Sequence, residues 1–304
     1  MSAGEVMGFV GVSTGQSSIR RVFPSWAAIL GLPAARLVGH DLPPGAPDER
    51  YREVIRTIRD DDRYAGALIT THKIGVYRSA GSLFDVLDEF AAQCGEISSV
   101  SKRDGKLIGH AKDPLTAGLS MEEFLTPDYF ARTGAHVLCL GAGGAGTAIT
   151  WYLSRRDDRP ERITCTALRP ESLAELRAVL ARAGIDAGGV RTVLADGPAD
   201  DLLTGLPPGS LVINATGLGK DQPGSPITGD ARFPDNGIAW ELNYRGSLEF
   251  LHQARSAPPG TNLTIVDGWR YFIHGWSQVV AEVFDLRLTP PLVERLADAA
   301  AALR

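Results

Sequence analysis

The run Gly141-Ala142-Gly143-Gly144-Ala145-Gly146 follows the apolar stretch Val137–Leu140 and opens directly into a helical pattern. Each glycine has a physical use there. Gly141 permits the tight turn, Gly143 lets backbone approach a pyrophosphate, and Gly146 lets helix and strand pack closely. The helix N-terminus adds unpaired N–H groups and a partial positive charge. A strand before and a helix after are the context that gives Gly-x-Gly-x-x-Gly its meaning, so the stretch reads as a dinucleotide site. A glycine turn that only packs is the plain alternative.

The next strand ends Thr164-Cys165-Thr166-Ala167-Leu168-Arg169, with no acid to hold a ribose 2′-hydroxyl. Arg169 can pair with a 2′-phosphate, which favours NADP over NAD. Glu171 is the competing residue, and a solvated loop cation is the plain reading of Arg169. Asn214-Ala215-Thr216-Gly217 follows the run Leu211–Asn214, where small and polar residues line the crevice of such a sheet.

Two ionisable residues precede the glycine turn. Lys73 ends the strand-like run Gly66–Lys73, and Asp113 closes Gly109-His110-Ala111-Lys112-Asp113. Both stand at expected strand exits, where side chains can reach an interdomain cleft. A surface lysine and a helix-capping aspartate are the plain readings. His72 beside Lys73 is read as packed, with a proton relay as the sharper alternative.

Strands are expected at Val6–Val12, Leu37–Asp41 and Ala67–Thr71, and helices at Val22–Leu32, from Asp48 as N-cap, and at Phe84–Ala92. Ile97–Val100 and Leu107–His110 flank Asp104-Gly105, a hairpin signal. A helix is expected near Leu115–Phe124. The pattern restarts after Pro127 with strands at His136–Leu140, Ile163–Ala167, Val190–Leu194, Leu211–Asn214, Ile238–Glu241 and Thr264–Val266. Helices are expected at Ala145–Tyr152, Glu171–Ala183, Gly246–Arg255, Gly268–Phe284 and Pro290–Leu303. This alternation predicts an α/β chain with a doubly wound parallel sheet. The expected division is 1–117 plus 268–304 as a substrate-binding domain, and 118–267 as a Rossmann-type dinucleotide-binding domain. The C-terminal helices return to the first domain.

The 304 residues suit about two domains. A net charge of −5 gives no attraction to nucleic acid or anionic membrane. Arg155-Arg156 reads as a solvated helix face. Cys94, Cys139 and Cys165 form neither a CxxC nor an even framework, which fits a reducing cytoplasm and argues against a metal site. No apolar run is long enough to span a membrane, and Met1–Gly8 lacks a signal-peptide pattern. The expected partners are a small-molecule substrate and, at most, a second copy in a homodimer.

Taken in order, these segments resemble the shikimate/quinate dehydrogenase family. Gly66–Lys73 is similar to its Val-Thr-x-Pro-x-Lys signature, and Gly109–Asp113 to its Gly-x-Asn-Thr-Asp segment. Gly141–Ala145 matches its Gly-Ala-Gly-Gly-Ala turn, and Asn214–Thr216 its Asn-Ala-Thr. Tyr244 falls near the tyrosine after the penultimate strand, and Asp267-Gly268 opens the returning helix. The resemblance implies a catalytic pair of Lys73 and Asp113, with Lys73 exchanging the hydroxyl proton and Asp113 orienting it. It implies cofactor contacts at Gly141, Gly143, Gly144, Ala145, Asn214 and Thr216. Ser17, Ser18, Arg20, Thr70, Ser98, Tyr244 and His274 are the substrate-binding candidates.

The departures bear on the substrate. Of the family's Ser-x-Ser only one serine remains, Ser17 or Ser18, and its partner falls on Ile19 or Arg20. Thr71 replaces the proline. The Asn-Thr pairs read Ser98-Ser99 and Ala111-Lys112, and the late glutamine falls on Gly275. Lost amides remove donor and acceptor together, and a site built to pair a hydroxyl discriminates strongly. The expected activity is a hydroxyl–ketone interconversion on a small cyclic polyol-like substrate other than shikimate, with Arg20 holding an anionic group. Trp26, Trp269, Trp276 and Tyr271 read mainly as core, with a pocket wall as the alternative. A non-catalytic sensor of the same fold and a methylenetetrahydrofolate dehydrogenase-like enzyme are the competing readings.

Overall fold

A computed structural model describes residues 5–220 and 222–303, so the first half of the Met1–Gly8 reading lies outside the described residues. Two compact units divide the chain. One takes the chain up to Lys112 and again from Ile273, and the other runs Asp113–Phe272.

The first unit holds β1 (Val6–Gly11), α1 (Ile19–Ile29), β2 (Arg36–Asp41), α2 (Asp48–Asp60), β3 (Tyr64–Ile69) and α3 (Lys73–Ala80), followed by β4 (Val86–Leu87), α4 (Glu89–Cys94), β5 (Ser99–Arg103) and β6 (Lys106–His110). Its sheet has the order β2-β1-β3-β5-β6-β4. β1 pairs in parallel with β2 and β3, whereas β5 is antiparallel to β3 and β6. The β5–β6 turn is made by Asp104 and Gly105, both at positive φ, as a two-residue hairpin requires. β3 is buried along its whole length, which is why Tyr64–Ile69 reads as an unbroken apolar run.

Three expectations are corrected here. Lys73 does not end a strand: β3 stops at Ile69, and Lys73 is the first residue of α3. The helix expected at Phe84–Ala92 is instead the short strand β4 followed by α4, whose N-cap Asp88 accepts from Ala91 N–H at 2.7 Å. Asp48 lies inside α2 rather than capping it, and its carboxylate accepts from Ser79 Oγ at 2.7 Å.

The second unit holds α5 (Asp113–Met121), α6 (Tyr129–Thr133), β7 (Val137–Leu140), α7 (Gly144–Arg155), β8 (Ile163–Ala167), α8 (Pro170–Arg182), β9 (Val190–Leu194) and α9 (Asp200–Thr204), then β10 (Leu211–Asn214), β11 (Ile238–Glu241), α10 (Glu249–Arg255) and β12 (Thr264–Val266). α11 (Trp269–Phe284) and α12 (Pro290–Ala301) follow. The second sheet is parallel throughout, in the order β12-β11-β10-β7-β8-β9. Counted outward from the central pair, the chain winds first to one side and then to the other, as in the doubly wound dinucleotide-binding sheet.

Period-two alternation explains the apolar strands. Val137 and Cys139 enter one core cluster, and Leu138 and Leu140 enter another. Ile238 and Trp240 join the first, and Ala239 the second. β7, β10 and β11 are buried along their whole length, so they stay apolar up to their last residue. Each fully buried aliphatic side chain contributes about 1.5–3 kcal/mol to holding the layers together.

The aromatic candidates are packed: Trp26, Trp269 and Trp276 are buried, and Tyr271 lies against the core of the second unit. Trp26 is fully buried in the first unit, with its indole N–H donating to Leu296 O at 2.8 Å. Trp276 packs edge-on against Phe9, and Tyr271 edge-on against Trp240. Arg155-Arg156 is also corrected. Arg155 stacks over Trp151, but the Arg156 side chain is only 7% exposed and pairs with Glu122. All three cysteines are buried and free. Among the described residues no helix is long and apolar enough to cross a membrane.

Candidate active site

The second sheet reverses its winding between β7 and β10. Ligands of parallel sheets bind beyond the carboxyl ends of the strands at such a reversal. The segments leaving those two strands are the glycine turn and the turn beginning at Ala215.

The glycines of the first turn are held by different constraints. Gly141 has φ 111°, and a Cβ there would stand 2.7 Å from Ala215 O. A Cβ on Gly146 would stand 1.9 Å from Gly141 O. A Cβ on Gly143 would meet nothing within 4 Å, because that residue faces open space at the start of α7. Gly143 is also the N-cap of α7 and has no side chain to cap it. The first N–H groups of a helix have no carbonyl one turn earlier to bond. An open glycine against an uncapped helix end fits a pyrophosphate, so the residues present suit a dinucleotide. Gly144 and Ala145, half-buried, form the first turn of α7.

The second turn is built on buried polar groups. Asn214 and Glu241 are 0% exposed and stand opposite each other in the β10–β11 register. Asn214 Nδ2 donates to Glu241 Oε2 at 2.8 Å, and Asn243 N–H donates to Glu241 Oε1 at 2.8 Å. Asn214 Oδ1 accepts from Thr216 N at 3.0 Å and Thr216 Oγ1 at 2.6 Å. Asn243 Nδ2 donates to Thr216 O at 3.3 Å and Leu218 O at 2.9 Å. Burial pushes the Glu241 carboxyl up to about 7, against the Asn243 N–H and the Asn214 amide, which favour the carboxylate. Thus the amide of Asn214 is committed inside the protein. Glu241 and Asn243 were not among the expected site residues. The signal available was a carboxylate closing the buried run Ile238-Ala239-Trp240-Glu241.

Arg169 is the exposed N-cap of α8, with Pro170 at the first helical position and Leu168 74% exposed before it. Glu171 lies in the first turn of that helix. Tyr244 packs on Phe272 with ring centroids 4.5 Å apart, and the Lys220 ammonium lies over its ring.

In the first unit, Lys73 is anchored through backbone and neighbour. Its carbonyl accepts from Ile97 N–H at 3.1 Å. His72 is buried and bonds at both ring nitrogens, to Leu42 O at 3.0 Å through Nε2 and to Tyr51 OH at 3.3 Å through Nδ1. A carbonyl only accepts, so Nε2 carries the proton and Nδ1 receives the Tyr51 hydroxyl. Burial raises the Tyr51 hydroxyl, which keeps that donor protonated. His72 is therefore a clamp, in line with its packed reading. Ser98 Oγ accepts from Lys112 N–H at 2.7 Å, next in sequence to Asp113. Asp113 itself is 8% exposed and opens α5.

Arg20 donates through Nη1 to Leu37 O at 3.1 Å, through Nε to Thr14 O at 3.4 Å and through Nη2 to Thr14 Oγ1 at 3.5 Å. Gly39 leaves the room, since a Cβ there would stand 2.4 Å from Nη2. Three of its five N–H donors thus clasp Thr14 to β2. Ser17 and Ser18 are half-buried, Ser18 as the N-cap of α1, and Ile19 is fully buried. Thr70 Oγ1 donates to Val10 O at 3.2 Å, and His274 is buried on α11. Lys112 is paired with Glu282, which also meets Arg103 at 2.7 Å and His110 at 3.5 Å. Burial pushes the Glu282 carboxyl up, but Lys112, His110 and Arg103 outweigh it and hold it below the usual range. Among the described residues no group of three or more His, Cys, Asp or Glu is arranged to hold a metal ion.

No family model matches the chain. A shikimate dehydrogenase (NADP(+)) of Methylobacterium radiotolerans is 31% identical over 220 residues, which cover 69% of this chain and 70% of that protein. The crystal structure of quinate dehydrogenase from Corynebacterium glutamicum, in complex with NAD, aligns with a TM-score of 0.74 at 20% identity, covering 98% of this chain and 99% of that one. Ligand-free 5-ketofructose reductase of a Gluconobacter strain aligns with a TM-score of 0.73 at 19% identity, covering 99% of both chains. At these identities the two structures show a shared fold.

Proposed function

The chain belongs to the shikimate dehydrogenase family, and from that premise we propose that it interconverts a hydroxyl and a ketone on a small cyclic polyol-like substrate other than shikimate, using NADP. The observation that carries the reading is Gly143, left open at an uncapped helix start between two glycines that contact packs tightly. Gly141, Gly143, Gly144 and Ala145 would hold the pyrophosphate, with Asn214 and Thr216 shaping the adjacent wall. When bound, the nicotinamide supplies or takes up the hydride. Lys73 gives a proton to the substrate oxygen during reduction and removes it during oxidation. Asp113 accepts a hydrogen bond from the substrate hydroxyl and fixes its direction. The domain assignment follows: the unit carrying Lys73 binds substrate, and the unit carrying the glycine turn binds the dinucleotide.

Several side chains support a substrate unlike shikimate. Ser98 stands where the family has an amide, and its oxygen already accepts from Lys112 N–H. Ala111 is fully buried and apolar where the pattern calls for a polar group. Arg20 has two N–H donors beyond its internal bonds with which to receive an anionic group. The three buried free thiols suit a cytoplasmic enzyme.

The test is turnover with NADP and NAD separately across shikimate, quinate and amino-substituted cyclic polyols, followed at the reduced-nicotinamide absorbance. A faster reaction with NADP and with a polyol other than shikimate is expected. Dinucleotide binding with no absorbance change for any alcohol or ketone would replace the reading with a cofactor-binding sensor. Arg169→Ala separates the two cofactors. Loss of a charge-assisted hydrogen bond costs about 1.5–3 kcal/mol, so KM for NADP is expected to rise about 10- to 100-fold while KM for NAD stays put. An equal rise for both would move the 2′-phosphate site elsewhere.

A further inference from the structure

We propose that Glu241 is a positioning residue for dinucleotide binding, its buried carboxylate holding the 214–218 turn against the glycine turn. The inference rests on the dinucleotide reading above and adds to it a residue that would touch neither substrate nor cofactor.

The geometry is a chain of hydrogen bonds with one polarity. A carboxylate only accepts, and Glu241 accepts from Asn214 Nδ2 and from Asn243 N–H. That fixes the Asn214 amide with its oxygen outward, where Oδ1 takes both the N–H and the hydroxyl of Thr216. Asn243 closes the ring by donating to Thr216 O and Leu218 O. The turn so held supplies Ala215 O, the atom a Cβ on Gly141 would meet at 2.7 Å. Ala215 N–H in turn donates to Leu140 O at 2.8 Å, at the end of β7. A shift of the 214–218 turn therefore reaches the glycine turn through backbone atoms. Both partners of Glu241 are amides rather than cations, so the carboxylate is buried for its directional acceptance and not for a salt bridge.

The polarity makes a test. In Glu241→Gln the fixed Asn243 N–H keeps the remaining oxygen, and the new NH2 faces Asn214 Nδ2, donor against donor. If Asn214 flips to answer it, Thr216 N–H loses its acceptor. In Asn214→Asp two carboxylates meet instead. In the double variant the glutamine amide at position 241 donates to the new carboxylate at position 214. The other oxygen of that carboxylate accepts from Thr216, and the network is restored with the direction of one bond reversed.

NADP affinity is measured by calorimetry for the wild type, both single variants and the double variant, with steady-state KM for cofactor and substrate and kcat alongside. Each single variant is expected to weaken NADP binding tenfold or more while substrate KM stays within about twofold. The double variant is expected to return to within about threefold of wild type. Wild-type affinity in Glu241→Gln, or a folded double variant as weak as the singles, overturns the assignment. If a single variant does not fold, the double variant alone decides in the same way. A wild type that gives no heat with either dinucleotide overturns the dinucleotide reading itself, and this inference with it.

Discussion

Lys73→Ala is expected to lower kcat by about 10²–10⁴-fold, the span of a general acid–base residue, with NADP affinity unchanged. The expectation follows from how Lys73 is held. Its carbonyl is fixed by Ile97 N–H, and His72 before it is bonded at both ring nitrogens. These anchors run through the Lys73 carbonyl and the His72 ring, so the alanine variant keeps them. Lys73 is the first residue of α3, where the macrodipole disfavours a cation. Single-turnover measurement at saturating NADP checks the expected loss of rate, and a variant with full turnover would remove Lys73 from the mechanism.

Gly146→Ala and Gly143→Ala are expected to fail in different ways. The methyl at 146 would stand 1.9 Å from Gly141 O and 2.9 Å from Gly141 C, both backbone atoms. α7 must then back away from β7, at a cost of about 1–3 kcal/mol or more, and the phosphate cradle opens. Thermal midpoint and NADP affinity are expected to fall together, the latter about 100-fold or more. At 143 the methyl meets nothing within 4 Å, and φ is −79°, a value alanine adopts freely. That variant is expected to unfold at the wild-type temperature yet bind NADP at least about tenfold more weakly. Unaltered affinity in a folded Gly143→Ala protein would place the pyrophosphate elsewhere. The pair separates the glycine that lets the protein pack from the glycine that leaves space for a ligand.

The second sheet was legible to the residue in five strands, Ile163–Ala167, Val190–Leu194, Leu211–Asn214, Ile238–Glu241 and Thr264–Val266. Of these, Leu211–Asn214 and Ile238–Glu241 are central strands buried along their length, so an apolar run marks each and its first polar residue marks the end. The region around Lys73 was not legible. α3 is short and weakly amphipathic, and Gly75 in its first turn makes room for the Tyr51 ring, 2.8 Å from where a Cβ would sit. Sequence periodicity carries no trace of that neighbour. The candidate site divides similarly. Asn214 and Thr216 could be placed by their position after a strand, but the direction of their hydrogen bonds could not. Asn214 answers to Glu241, 27 positions later, and Arg20 to Leu37, 17 positions later. Such pairings come from strand order, which local propensity does not encode.

The His72 clamp also changes where the order of this segment originates. A proline before the lysine would restrict the chain already in the unfolded state. Here Thr71 takes that place, and the restraint consists of two hydrogen bonds to residues 21 and 30 positions away. The alignment of the lysine is thus a tertiary property, absent from any isolated peptide of this stretch. It can persist through drift of the surrounding signature only while Tyr51 keeps its hydroxyl and the chain at Leu42 keeps its course.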